Sequence, residues 1–95
     1  MPDKPYYCYI LWSDTAERFY IGVTEDVHKR LDDHNSGASK WTKRFAGSWQ
    51  PVWQSQFASL GDARRFEKRL KRQKGGAGFW KITGLEPSVF GKSGS

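Results

Sequence analysis

The stretch CYILWSDTAERFYIGVT, residues 8–24, decides the fold because it has the pattern of a β-hairpin. Two runs of apolar and β-prone residues, 6–12 and 18–23, flank a polar segment, 13–17, that is typical of a turn. The first run is nearly continuous, as expected of a strand that is covered on both faces. We therefore predict two neighbouring antiparallel strands at the start of the chain.

Tyrosines occupy the centre of both predicted strands, where a plain hairpin would carry valine or isoleucine. With a loop of four residues, 13–16, Tyr9 lies directly opposite Tyr20 on one face of the sheet, and a longer loop changes that pairing. A single buried tyrosine is usually a core residue whose hydroxyl is hydrogen-bonded. Two tyrosines on facing strands suggest a role beyond packing.

The rest of the chain alternates between helical and extended patterns. Capping residues and glycines delimit two helices, and a β-prone run lies between them. The predicted helices cover residues 24–37 and 60–76, the third strand covers 52–59, and residues 79–84 form a short strand or a last packed turn. The order β-β-α-β-α predicts an α+β domain in which helices flank a small, mostly antiparallel sheet of three strands. We assign residues 1–84 to this domain and 85–95 to a flexible C-terminal tail.

The composition indicates a polyanionic partner. The 95 residues carry a net charge of +6, and 16% of them are aromatic. A basic chain of this size suggests nucleic acid, and exposed rings can stack on bases, although a basic surface that serves only solubility is the alternative. We expect DNA as the partner, with RNA as the second choice. We expect no membrane association, because no apolar run reaches about 18 residues. The single cysteine and the absence of a signal-peptide pattern predict a cytoplasmic protein.

The first predicted helix places two basic side chains beside its apolar face. Steps of about 100° per residue put Arg30 and His34 next to Val27 and Leu31, toward the sheet or its rim. The two basic residues are four positions apart and are therefore neighbours. A guanidinium in this position needs an anionic partner, which is either a carboxylate in a structural salt bridge or a ligand.

The second predicted helix has the reverse feature, which is a carboxylate within the apolar face of a strongly basic helix. Glu67 falls on the arc that contains Phe66 and Leu70. It either pairs with Arg30 or binds a metal ion. Five polar groups then converge on one small sheet, and a core of this size gains little from burying them. They are Tyr9, Tyr20, Arg30, His34 and Glu67.

The order and spacing of these residues resemble the GIY-YIG nuclease superfamily. CYI at 8–10 and YIG at 20–22 resemble the two halves of its signature. VHKRLDDH resembles the helix that carries the family arginine, here Arg30, and FEKRLK resembles the helix that carries the family glutamate, here Glu67. The layout is most similar to the small stand-alone bacterial members that are related to the nuclease domain of the UvrC excision-repair protein. The resemblance covers residues 6–84 and implies a GIY-YIG endonuclease-like fold.

The resemblance implies a metal-dependent endonuclease that hydrolyses phosphodiester bonds in DNA, with a role in DNA repair. In such enzymes the glutamate, here Glu67, holds Mg²⁺ or Mn²⁺, and the arginine, here Arg30, stabilises charge on the phosphate. Tyr9 and Tyr20 correspond to the signature tyrosines, one of which acts as or assists the general base. His34 occupies a helix position that often lies in the site. The tyrosine base needs positive charge from Arg30, the metal or a protonated His34; alternatively, the tyrosines only orient the attacking water and His34 takes the proton.

Basic residues of the loop after the first helix and of the second helix are predicted to hold the phosphate backbone without reading bases. We therefore expect selectivity for DNA structure, or weak selectivity for sequence. Trp41 stacks on an unpaired base in this interpretation and belongs to the core in the alternative. The predicted nucleic-acid-binding residues are Lys40, Trp41, Lys43, Arg44, Arg64, Arg65, Lys68, Lys71, Arg72 and Lys74.

Two departures from the family pattern support a second interpretation. Cys8 stands where the first signature has glycine, and Val23 follows YIG where many relatives have lysine. Without that ammonium group, a tyrosine is harder to activate. The alternative is therefore a nucleic-acid-binding module of the same fold whose catalysis is impaired or lost, and a small RNA-binding protein is the third interpretation.

Overall fold

The computed structural model describes residues 4–40, 42–74 and 76–90, which form a three-stranded antiparallel sheet with helices on both faces. The strands are β1 (Tyr6–Ser13), β2 (Arg18–Thr24) and β3 (Trp49–Phe57), and the α-helices are α1 (Val27–Ser36), α2 (Leu60–Gln73) and α3 (Ala77–Thr83). Short 3₁₀ helices lie at Lys43–Phe45 and Pro87–Val89. The predicted α+β fold is confirmed. The segment 79–84, predicted as a strand or a packed turn, belongs mostly to α3.

The hairpin register differs from the predicted one, although the tyrosines share a face. Tyr9 pairs with Gly22, and Leu11 pairs with Tyr20. The direct opposition of Tyr9 and Tyr20 is therefore wrong. Because the shift is two residues, both rings stay on the same side of the sheet and meet diagonally, with their centroids 6.2 Å apart.

The register shifts because Ser13 belongs to the strand and not to the loop. Ser13 is buried and pairs with Arg18, and its hydroxyl accepts a hydrogen bond from the Ala16 N–H at 3.0 Å. Glu17 closes the turn with a φ of 53°, and its N–H donates to the Ser13 carbonyl at 2.7 Å. The loop is thus residues 14–17, one position later than predicted.

β3 starts at Trp49, three residues before the predicted strand, and ends at Phe57. Pro51 concealed this start, because proline is rare inside sheets. The sheet tolerates it because β3 is an edge strand and carries an irregularity where Ile10 pairs with Trp53 and Leu11 pairs with Pro51.

Opposite faces of the sheet pack against different helices. Side chains of β1 alternate between the two faces, and each face has its own hydrophobic cluster. The face covered by α2 and α3 contains Cys8, Ile10, Trp12, Phe19, Ile21, Leu70 and Phe79. The face covered by α1 contains Tyr9, Leu11 and Trp49, with Tyr20, Val27 and Leu31 packed against them. The sheet is therefore the middle layer of three.

Local capping fixes where the helices begin and end. The Asp26 carboxylate accepts the Lys29 N–H at 3.1 Å, and α1 ends at Gly37 in the left-handed region, with a φ of 90°. The Ser59 hydroxyl accepts the Asp62 N–H at 3.1 Å at the start of α2. These caps lie within the punctuation that the sequence predicted.

The segment after α3 contacts the core. Leu85 and Phe90 pack against the hydrophobic cluster under α2 and α3, and the Phe90 ring centroid lies 5.1 Å from that of Trp12. The boundary between a domain and a tail at residue 85 stays a prediction, and residues 91–95 lie outside the described residues. None of the described helices combines the length and the apolar composition that a membrane crossing requires.

Candidate active site

A hydrogen-bonded chain of three buried side chains forms the centre of the candidate site. The Tyr9 hydroxyl lies 3.0 Å from His34 Nε2, and His34 Nδ1 lies 2.6 Å from Thr42 Oγ1. His34 comes from the C-terminal half of α1. The backbone of Thr42 is held by Trp49, whose indole N–H donates to the Thr42 carbonyl at 3.1 Å. Both ring nitrogens of His34 are therefore matched with hydroxyl groups.

His34 is neutral at neutral pH. Burial and, to a smaller extent, the positive charge of Arg30 lower the pKa of His34 to about 4, against an opposing effect of Asp33. A neutral imidazole has one N–H and one free lone pair, so one hydroxyl donates to the ring and the other accepts from it. His34 therefore does not supply the positive charge that one sequence-based alternative required of it.

The stability of the fold is expected to depend on pH through His34. Its pKa is about 4 in the folded chain and 6.5 ordinarily, so the unfolded state binds the proton more tightly. The stability that this difference contributes is complete above pH 6.5 and is lost as the pH falls from 6.5 toward 4, by roughly 3 kcal/mol for this group alone. Urea unfolding at a series of pH values measures that loss.

His28, which is exposed on the same helix, provides the matched control. The variant His28→Gln should keep the loss of stability in mild acid, whereas His34→Gln should remove the part that His34 causes. A His34→Gln variant with the same pH dependence as the parent would show that another group is responsible.

Tyr20 and Arg30 lie beside this chain on the same face of the sheet. The Tyr20 ring centroid lies 4.6 Å from that of His34. Arg30 forms a salt bridge of 3.4 Å with Asp33, which is the structural pairing that the sequence left open. Burial acts to lower the pKa of Arg30, but the nearby oxygens of Tyr9 and then Tyr20 raise it overall. The guanidinium is thus within electrostatic reach of both hydroxyls.

Tyr9 keeps its proton at neutral pH. Burial raises the pKa of Tyr9 above its ordinary value, Tyr20 raises it further, and Arg30 partly opposes the rise. A phenolate at this position therefore needs additional positive charge. The ring of His34, with Nε2 only 3.0 Å away, is a direct proton partner for the hydroxyl.

Gly22 of β2 has no side chain, and the Tyr9 side chain occupies the space that a Cβ atom would take there. A Cβ atom at residue 22 would lie 2.6 Å from the Tyr9 hydroxyl oxygen and 3.0 Å from a ring carbon of Tyr20. The YIG glycine is therefore required by space and not by an unusual backbone angle.

Gly22→Ala is expected to displace the Tyr9 hydroxyl from His34. Overpacking of this kind costs about 1–3 kcal/mol of unfolding free energy. If Tyr9 has the catalytic role that the sequence predicts, a shift of about 1 Å also lowers turnover about 100-fold. Thermal unfolding and DNA cleavage measure the two effects. Gly61→Ala in α2 is the control, because its Cβ would meet its nearest neighbour at an ordinary 3.6 Å. Equal cleavage by Gly22→Ala and the parent would contradict this role.

Glu67 lies on α2, which packs on the opposite face of the sheet. Its side chain is 20% exposed and pairs with Lys71 at 3.2 Å, so the alternative in which it pairs with Arg30 is wrong. Burial is the largest cause that raises the pKa of Tyr9 and of Cys8, and the negative charge of Glu67 raises both pKa values further. The structure therefore brings four of the five predicted groups to one face of the sheet and leaves Glu67 on the other, so the predicted convergence of all five is wrong. Glu67 acts on Tyr9 only through its charge.

The donor set fits one kind of metal ion. Among the described residues, no three or more His, Cys, Asp or Glu side chains are grouped to hold a metal. Mg²⁺ and Mn²⁺ accept oxygen ligands, and Mg²⁺ usually keeps several waters and takes phosphate oxygens of the substrate, so a single accessible carboxylate such as Glu67 suits it. A structural zinc site, which needs about four protein ligands, does not fit.

The predicted nucleic-acid-binding residues that the structure describes all lie on the surface. Nine of the ten residues are exposed, and Trp41 lies outside the described residues. Lys71 pairs with Glu67, and Arg65 pairs with Asp62 on the same helix. The contribution of all ten to binding stays a prediction.

Sequence reasoning missed Thr42 and the steric role of Gly22. Thr42 lies eight positions after His34, in the loop that follows α1, and no helical or strand period connects positions in a loop. The signal for Gly22 was present in YIG, because a glycine inside a strand often marks a close approach of another group.

The comparison with known proteins identifies the class. The GIY-YIG catalytic domain model matches residues 5–80. The chain belongs to the GIY-YIG catalytic domain family, as its motifs predicted.

Relatives of two kinds are similar to the chain. The UPF0213 protein of Streptococcus pneumoniae serotype 4 is 35% identical over 72 residues, which are 76% of this chain and 72% of that protein. The UPF0213 protein of Aeromonas salmonicida (strain A449) is 38% identical over 58 residues, 61% of this chain and 43% of that protein. The structure-specific endonuclease subunit slx1 of Pyrenophora tritici-repentis is 33% identical over 61 residues, 64% of this chain and 17% of that protein. The chain therefore spans less than half of the last two proteins.

Proposed function

We propose that the chain is a metal-dependent endonuclease that hydrolyses phosphodiester bonds in DNA and selects its substrate by structure or, weakly, by sequence. DNA processing in the cytoplasm, including repair, is the setting that this activity implies. The observation that carries the proposal is the buried chain from Tyr9 through His34 to Thr42, with Arg30 at its side. A site with a permanent cation, a proton donor and a proton acceptor has the parts that phosphodiester hydrolysis needs.

Arg30 binds and orients the phosphate in this proposal. Its guanidinium is planar and always charged, and it presents two parallel N–H groups that match two phosphate oxygens. Because its side chain is 33% exposed, a phosphate can reach it from solvent. Charge that develops on the phosphate in the transition state is stabilised by this group, which is held close to Tyr9 and Tyr20.

Tyr9 and His34 move the proton of the attacking water. In this scheme the Tyr9 hydroxyl donates to His34 Nε2 and His34 Nδ1–H donates to Thr42 Oγ1, which is the tautomer whose Nε2 lone pair can take the Tyr9 proton. Tyr9 accepts the water proton as it passes its own proton to His34. The low pKa of His34 opposes this transfer in the free protein, and the anionic phosphate supplies the negative charge that favours it. Nitrogen-15 shifts of the His34 ring test the tautomer: a protonated Nε2 in the parent would rule this scheme out.

Glu67 is the proposed ligand for Mg²⁺ or Mn²⁺. Such an ion, when bound, polarises phosphate oxygens and lowers the basicity of the leaving oxygen. For Glu67 to bind the ion, its ion pair with Lys71 has to break. Lys71 is more than half exposed and can turn toward solvent or toward a phosphate.

Incubation with labelled DNA tests the activity. The chain is combined with each substrate in Mg²⁺, Mn²⁺ or EDTA. The substrates are single-stranded, nicked, branched and duplex DNA and an RNA strand of matched sequence. The proposal predicts products from DNA in at least one of the two metals and none in EDTA. Cleavage of RNA alone, or products in EDTA, would contradict it.

A binding module of impaired activity is the second candidate, and Val23 is the observation that favours it. Val23 is partly buried and packs against the hydrophobic core beneath α2, so no ammonium group is supplied from this position. This candidate predicts DNA binding with no product in any metal.

A further inference from the structure

Two adjoining hollows form one groove along the hairpin side of the molecule. We call it the edge groove. Its near end, next to the candidate active site, is lined by Tyr20, Thr42, Arg44, Phe45 and Trp49. Its far end is lined by Trp12, Glu17, Trp80 and Phe90. Arg18, Phe19 and Lys74 line both hollows and therefore join them. A nucleic-acid strand that leaves the candidate active site past Tyr20 would enter this groove.

Cations dominate the polar lining of the edge groove. Arg18 and Lys74 flank its middle, Arg44 flanks its near end, and Glu17 is the carboxylate among the described lining residues. The salt bridges found among the described residues use Arg30, Arg65 and Lys71 as cations and none of the three in the groove. Burial lowers the pKa of Lys74, and Lys71 and Arg18 lower it further. A bound anion between Arg18 and Lys74 would relieve this repulsion.

Aromatic rings form the wall of the far end. Trp80 and Phe90 are partly exposed, with their ring planes 16° apart and their centroids separated by 6.2 Å. Both rings rest on buried rings: Phe19 contacts each of them, with centroids 5.7 Å from Trp80 and 5.0 Å from Phe90. The wall is therefore rigidly supported and offers flat apolar surface beside the cation pair.

We propose that the edge groove binds an unpaired nucleotide of the substrate strand, with its phosphate between Arg18 and Lys74 and its base stacked on the wall formed by Trp80 and Phe90. The combination of cations for the backbone and rings for the base is the recognition mode of single-stranded nucleic acid. A duplex satisfies only the cations, because its bases stack on one another and hide their faces. The assignment rests on the proposed function, since it defines how the strand approaches that site.

Fluorescence polarisation of a labelled oligothymidylate in EDTA tests the proposal without cleavage. The double variant Arg18→Ala/Lys74→Ala removes two phosphate contacts and is expected to lower the salt slope of log K by about 1.4. Trp80→Leu keeps an apolar side chain and removes a stacking face, and it is expected to weaken binding about 5- to 150-fold. Arg69→Ala is the control, because Arg69 is exposed and lines a different hollow beside Phe57 and Phe66.

A strand of abasic deoxyribose phosphates provides a second comparison that needs no variant. The parent should bind oligothymidylate more tightly than the abasic strand, and Trp80→Leu should bind the two strands alike. Thermal unfolding checks that each variant is folded, and Phe90→Leu, which removes the other ring of the wall, replaces Trp80→Leu if the latter is not folded. Equal affinity of the parent for the two strands, or an unchanged salt slope in the double variant, would overturn the assignment.

Cleavage measured on the same preparations separates the two proposals. If the parent cuts DNA in Mn²⁺ but fails the binding tests, the edge-groove proposal is rejected and the proposed activity stands. If the parent neither binds a single strand nor cuts DNA, both proposals are rejected.

Discussion

Glu67→Gln is expected to abolish cleavage of DNA in Mg²⁺ or Mn²⁺. The substitution keeps the size of the side chain and removes the charge that is proposed to hold the cation. If the ion contributes about 4 kcal/mol of transition-state stabilisation, the rate falls about 1,000-fold. The rate of product formation from labelled DNA, measured at saturating protein over a range of metal concentrations, quantifies the loss.

Folding and binding should survive this substitution. Glu67 loses one ion pair with Lys71, and pairs of this spacing on a helix contribute about 0.3–0.5 kcal/mol. The exposed Glu86, outside the candidate site, provides the control variant Glu86→Gln, which should cleave at the parental rate. If Glu67→Gln instead unfolds the protein while the parent shows no cleavage, Glu67 is a structural residue.

Arg30→Ala is expected to have the second largest effect. It removes the guanidinium that is proposed to bind the phosphate and to stabilise the charge that develops on it. This loss is expected to exceed the gain from removing the positive charge that, after burial, does most to lower the pKa of His34. Removal of a charge-stabilising donor typically costs about 100- to 1,000-fold in turnover. Arg30→Lys keeps the positive charge without the planar guanidinium, and its turnover should lie between those of the parent and Arg30→Ala.

Single-turnover rates over a range of substrate concentrations, together with the free energy of unfolding, distinguish this role from a structural one. Arg30→Ala should lower the maximal single-turnover rate and should leave the free energy of unfolding within about 1 kcal/mol, as expected for a surface pair with Asp33. Lys29→Ala, an exposed cation one residue earlier, is the control. A maximal rate equal to that of the parent, with only the affinity for the substrate reduced, would assign Arg30 to substrate binding alone.

Local patterns in the sequence were sufficient for the elements and for the inward face of α1. The helical period that placed His34 beside Leu31 depends only on helix geometry, and His34 is fully buried at that position. The caps at Asp26 and Ser59 are similarly local, because each side chain bonds a backbone N–H within three residues.

Contacts between distant segments could not be predicted in this way. The register of β1 and β2 depended on Ser13, whose polarity suggested a loop although its hydroxyl is within 2.7 Å of that of Ser48 inside the fold. Glu67 was given Arg30 as a candidate partner, yet Lys71 one turn away is nearer and costs less chain entropy to reach. Thr42 had no pattern at all, since a loop residue is placed by tertiary contacts.

One measurement tests most directly whether Glu67 and the Tyr9–His34 pair, on opposite faces of the sheet, act on the same phosphate. Mn²⁺ is titrated into labelled protein saturated with a nucleoside 3′,5′-bisphosphate, which has no internucleotide bond to cleave, and paramagnetic line broadening is recorded by NMR. Signals of Glu67, Tyr9 and His34 are expected to broaden together, and Glu67→Gln is expected to abolish the broadening of all three. Broadening confined to α2, with Tyr9 and His34 unaffected, would contradict it.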